Sequence, residues 1–179
     1  LSLSSLIFLS SCGSSNNQFE LIGNADLTDG TMIYVLQADQ NNQPYIKDST
    51  SVQSNSFKFK GISSTPQISY IQVEGVNGYV LAILENGDIK ADIYKDSISK
   101  SRVYGTKSND DFIKYKAETK YLVDIMNNIS SDAQSAIMNG DVDTAMELEK
   151  EYNSKEREVM LYEWDFIVDN LDSYMSALL

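Results

Sequence analysis

The stretch from Tyr45 to Ile62 constrains the fold of this chain more than any other. Two runs, Tyr45–Val52 and Ser56–Ile62, flank a short polar turn, Gln53-Ser54-Asn55. In the second run Phe57 and Phe59 alternate with Lys58 and Lys60. Side chains on a strand point to opposite faces in turn, so the phenylalanines bury and the lysines stay wet. Asn55 falls where such a turn needs a positive φ, which Asn tolerates best after Gly. The stretch predicts a β-hairpin. It specifies architecture and carries no visible chemistry.

Strand signals continue on both sides of it. Phe19–Gly23 is followed by the Asp29-Gly30 turn signal, and Thr31–Ala38 is an apolar, β-branched and aromatic run suited to a central strand. Asp39–Pro44 is a loop, Gln67–Glu74 a further strand and Gly75–Gly78 a turn. Tyr79–Glu85 and Asp88–Tyr94 face each other across Asn86-Gly87, the strongest short hairpin signal in the chain. Short strands joined by turns at near-regular spacing predict an antiparallel β-sandwich over residues 19–104.

At Gly105 the apolar period changes from two to about 3.6. Ser108 is the expected N-cap, with Asp111 three residues on as an acidic form of the capping box. Phe112, Tyr115, Thr119, Leu122, Met126, Ile129 and Ala133 then share one helical face. Asn139-Gly140 ends that helix and Asp141 caps the next, in which Ala145, Leu148, Tyr152, Val159, Tyr162 and Phe166 repeat the pattern. Two long helices joined by a tight turn lie antiparallel to bury these faces. The fold class is thus α+β: an antiparallel β-sandwich followed by a long α-helical hairpin at 105–179. The helical pattern still runs at Leu178-Leu179, which predicts a further domain beyond it.

Leu1–Cys12 is an apolar run with small residues before the only cysteine of the chain. It is shorter than the ~20 apolar residues a membrane-spanning helix needs and fits the apolar part of a secretory signal. Leu9-Ser10-Ser11-Cys12 resembles a bacterial lipobox, which makes Cys12 the candidate lipidation site; the plainer alternative is a buried or free thiol near the terminus. With no initiator Met and no basic segment before it, the signal reads as truncated. Residues 13–18 form a polar tether without acidic residues, and the domain is expected to face the periplasm. The anchor would sit in the cell membrane or the outer membrane.

The charge balance narrows the chemistry. Net charge is −12 with no histidine. Residues 13–104 carry 10 acidic and 7 basic side chains, and residues 105–179 carry 16 and 7. An acidic surface repels phosphate backbones, so no nucleic-acid partner is expected. Histidine, the commonest general base and metal ligand, is missing. Glu147, Glu149, Glu151, Glu156, Glu158 and Glu163 are dense, but paired carboxylates hydrolyse only in a shared cleft, and a solvated helix face accounts for them. Asp141-Val142-Asp143 starts like a calcium loop without its remaining ligands, and helix capping explains it. Tyr34, Tyr45, Tyr70, Tyr79, Tyr94 and Tyr104 fall on predicted strands and offer aromatic faces for a glycan or peptide; tyrosine is equally an ordinary strand residue. No P-loop, dinucleotide fingerprint, serine elbow or Cys-x-x-Cys occurs. No cofactor, metal site or catalytic residue is expected in this chain.

Asp48-Ser49, Val52 and Phe57-Lys58-Phe59-Lys60-Gly61 resemble the signature of a Bacteroidetes family known as a domain of unknown function, DUF4369. Its pattern runs Asp-Ser, an apolar residue, a Gly turn and Phe-x-Phe-x-Gly; Asn55 stands here where the family usually has Gly. Leu84-Glu85-Asn86-Gly87-Asp88-Ile89 and Gly105-Thr106-Lys107-Ser108-Asn109-Asp110 match further pieces. The resemblance implies the N-terminal module of a lipoprotein whose C-terminal part is a thioredoxin-like disulfide oxidoreductase. On that reading the chain is non-catalytic, is held to the membrane by its lipid anchor, and positions the redox domain or binds its protein or peptide substrate. The alternative is a free-standing glycan- or peptide-binding lipoprotein.

Overall fold

The computed structural model describes residues 17–179. Cys12, the signal segment and most of the expected tether lie outside the described residues. Eight strands come first: β1 (Gln18–Ala25), β2 (Met32–Ala38), β3 (Pro44–Ser51), β4 (Ser56–Ile62), β5 (Gln67–Val73), β6 (Val80–Leu84), β7 (Gly87–Ile93) and β8 (Arg102–Tyr104). They form two four-stranded sheets, ordered β4-β1-β7-β8 and β3-β2-β5-β6. The helices α1 (Lys107–Met138) and α2 (Val142–Asp169) follow, then the short α3 (Tyr174–Leu178). The expected α+β class stands: a β-sandwich and then a helical hairpin.

Alternation builds the sandwich. Leu21 and Ala25 of β1, Ile33 and Val35 of β2, Ile71 and Val73 of β5, and Ile89, Ala91 and Ile93 of β7 all point between the sheets and are buried. Phe57 and Phe59 join them, while Lys58 and Lys60 lie outside and both reach Glu20 across β1 (2.6 and 3.1 Å). The register explains the aromatic–glycine pattern. Phe57 stands opposite Gly23, and Phe19 opposite Gly61. A Cβ on Gly23 would fall 2.0 Å from the Phe57 ring, and one on Gly61 would fall 2.6 Å from Phe19. Each ring thus occupies the space its partner glycine leaves open.

Two expected hairpins are absent as such. β3 pairs with β2 and β4 with β1, so the chain crosses between sheets at residues 52–55. Val52, fully buried, enters the core at the crossing, and Asn55 takes the positive φ of 60° expected of it. Only a single bridge, Gln53 to Ser56, survives of the hairpin. β6 and β7 likewise belong to different sheets despite Asn86-Gly87. β6 is covered on both faces, with Ala82 and Leu84 in the sandwich and Ile83 under the helices. Its edge away from β5 is taken by the Asn109 side chain, which bonds both the N–H and the carbonyl of Ile83 where a hairpin partner would pair. β7 instead pairs with β8 and, in parallel, with β1, the one parallel pairing among the described strands.

The 32 residues of α1 span about 48 Å at ~1.5 Å per residue. The predicted stripes meet: Tyr115, Tyr162 and Phe166 form an aromatic cluster with centroids 6.1–6.3 Å apart. Asp141 caps α2 as expected, accepting from the Thr144 N–H (3.1 Å) and hydroxyl (2.8 Å). α2 stops at Asp169, and a turn precedes α3, whose N-cap is Ser173. The expected cap Ser108 is already inside α1, which begins at Lys107 after Thr106.

Candidate functional site

The six strand tyrosines separate. Tyr34 and Tyr70 lie on the outer face of the β3-β2-β5-β6 sheet, and Tyr79 stands just before β6 beside them. Tyr70 and Tyr79 pack edge to face, with centroids 6.1 Å apart and planes at 65°. The pairing Ile46–Leu36–Tyr70–Leu81 lays an apolar row across the same four strands. Ile46 and Tyr79 are 58% and 59% exposed, so this face is open. The others turn elsewhere. Tyr45 donates its hydroxyl to Gln37 Oε1 (3.2 Å) at the end of the core, Tyr94 follows β7, and Tyr104 lies on β8 under the Arg102 guanidinium (5.1 Å).

Along β6 the aromatic face meets α1. A crevice of about 170 Å³ opens there between Tyr79, Leu81, Phe112 and Ile113, with Arg102 and Lys116 at its sides. On the opposite edge β3 has a partner on one side only, so its other backbone groups are unpaired by strand. A bulge between Val35 and Leu36 in the pairing, together with Pro44, Lys47 and Asp48, guards that edge. Rings, an apolar row and a strand edge are the elements that grip an extended peptide or a sugar face.

The joint between sandwich and helices went unread in the sequence. Asn109, 1% exposed, donates its Nδ2 to the Ile83 carbonyl (2.8 Å) and accepts the Ile83 N–H on Oδ1 (2.9 Å). It also donates to the Thr106 hydroxyl (2.8 Å). Ser108 gives both its N–H (2.8 Å) and its hydroxyl (2.6 Å) to the Glu85 carboxylate. The Gly105 N–H is held by Asp110 Oδ1 (2.9 Å), and a Cβ on Gly105 would meet the Asp88 carbonyl at 2.9 Å. The segments 84–89 and 105–110 therefore converge on one clamp. The only sequence signal for it was that both segments carried a family resemblance.

The glutamates of α2 lie in solvent or in a helix–helix contact. Glu147, Glu149, Glu151, Glu156 and Glu158 are exposed along α2. Glu163 accepts the Tyr115 hydroxyl (2.6 Å), and burial, then that carboxylate, push the Tyr115 hydroxyl well above its ordinary range. Hydrogen bonds from Lys58 and Lys60 hold Glu20 below the usual carboxylate value. Among the described residues, no three His, Cys, Asp or Glu side chains gather as a metal site. No helix among them is long and apolar enough to cross a membrane.

No curated protein matches the chain as a relative. The profile of the family described as "Domain of unknown function (DUF4369)" matches residues 16–112, which span the whole sandwich, the clamp and the first turns of α1. The chain belongs to that family of domains of unknown function.

Proposed function

We propose that this chain is a non-catalytic module of a periplasm-facing lipoprotein, anchored through Cys12, that positions a thioredoxin-like redox domain or holds that domain's substrate. The clamp carries this reading. Asn109 and Ser108 fasten a helix of about 48 Å to the sandwich through four hydrogen bonds, two to Ile83 and two to Glu85. Such a joint serves an arm that must hold a fixed direction. Two acyl signals or more give stable membrane attachment, each buried CH₂ contributing about 0.8 kcal/mol.

The test is fractionation of the chain and of Cys12→Ala in a host that processes lipoproteins, together with the reading frame that follows Leu179 in the source genome. Membrane association lost in the variant, and a Cys-x-x-Cys within about one domain length (~100 to 150 residues), are the expected results. A variant that stays with the membrane as fully as its parent sinks the anchor; a stop codon directly after Leu179 sinks the redox link. A second reading, a free-standing glycan- or peptide-binding lipoprotein, is favoured by the open Tyr70–Tyr79 face and by the unpaired β3 edge at the other side of the same sheet.

A further inference from the structure

α2 carries two apolar faces, and α1 covers only one. Val159, Tyr162 and Phe166 face α1. At about 100° per residue, Met160, Leu161, Trp164 and Val168 fall on the opposite side, and Leu171 extends the run into the following turn. All five are exposed, by 59%, 67%, 66%, 54% and 79% in that order. Scattered surface leucines need no account, but a continuous ridge centred on a tryptophan marks an interaction site. Glu158, Asp165 and Asp169 line one flank of the ridge on the same helical wheel, and Asp165 and Asp169 make no ion pair among the described residues. Arg157 and Lys150 bound it only at its upstream end.

We propose that this ridge receives an amphipathic α-helix of a partner protein with Lys or Arg beside its apolar stripe. Charge decides between occupants. Residues 105–179 carry 16 acidic and 7 basic side chains, so a second copy of the hairpin, or an anionic lipid surface, meets like charge. Spacings of three and four along the ridge are the rows by which one helix packs its side chains between those of another. This inference stands apart from the tyrosine face and from the lipid anchor, because it uses neither.

Trp164 is the only tryptophan in the chain and reports on its own ridge. The whole chain is titrated with a synthetic Leu/Lys amphipathic helix of about five turns. A saturating blue shift of tryptophan emission is expected, with affinity falling about tenfold in Asp165→Lys/Asp169→Lys and at raised salt. Val168→Ser, a surface change checked for folding by circular dichroism, should weaken binding comparably. The proposal is overturned by no shift, by an equal response to a Leu/Glu helix or a scrambled Leu/Lys peptide, or by Val168→Ser binding as its parent does. A shift produced by phosphatidylglycerol vesicles in place of the peptide, or by raising the protein concentration alone, overturns it in favour of a membrane or a second copy.

Discussion

An asparagine side chain offers one carbonyl and one amide N–H pair, nearly the equipment of a peptide group. Asn109 uses both on Ile83 and so closes the outer edge of β6 as a neighbouring strand would. Asn109→Ala leaves a buried donor and acceptor unpaired and should cost about 2 to 4 kcal/mol in chemical denaturation. A loss within error would remove the clamp from the account. The phenylalanines act by volume instead. Phe57→Ala and Phe59→Ala should each cost about 3 to 5 kcal/mol, against less than about 0.5 for Lys58→Ala or Lys60→Ala, whose pairs with Glu20 are exposed. Equal losses for lysines and phenylalanines would contradict the register. The inward placement of Phe57 and Phe59 was legible in the sequence because alternation is a local property, whereas the rings' glycine partners lie on another strand and were not.

At the scale of elements, local pattern located strands and helices but misjudged how they join. Asn55 and Gly87 both take the positive φ that a tight turn needs, 60° and 123°. A turn signal states that the chain reverses; it does not state that the two arms stay in one sheet. Contacts distant in sequence decided that question: Val52 is drawn into the core, and Asn109 takes the free edge of β6 at Ile83. The helical stripes were legible because both helices satisfy the same 3.6-residue period, while the second stripe on α2 passed unnoticed among its glutamates. The interhelical contact titrates. Tyr115 is raised in the folded chain, so its contribution to stability is complete below the ordinary tyrosine value near 10 and is lost as pH climbs through the folded one. Tyr115→Phe should cost about 1 kcal/mol at neutral pH and flatten the loss of stability above pH ~10. An alkaline limb as steep as the parent's would mean that another group governs it.

The molecule as a whole joins two unlike halves. The sandwich holds its core between the sheets, and the hairpin docks on it through Ile83, Phe112, Phe166 and Met175, with the Asn109 and Glu85 contacts fixing its direction. The candidate surfaces, a tyrosine face beside the joint and an acidic, tryptophan-bearing arm, keep a set relation only if that joint is rigid. The family profile ends where the joint is complete, in the first turns of α1. Spin labels at Asn41→Cys in the β2–β3 loop and Gln134→Cys on the far half of α1, in a Cys12→Ala background, measure the relation directly by electron–electron double resonance. A fixed arm gives one narrow distance distribution; a broad distribution in the otherwise unaltered chain would contradict the claim that this module positions what it carries.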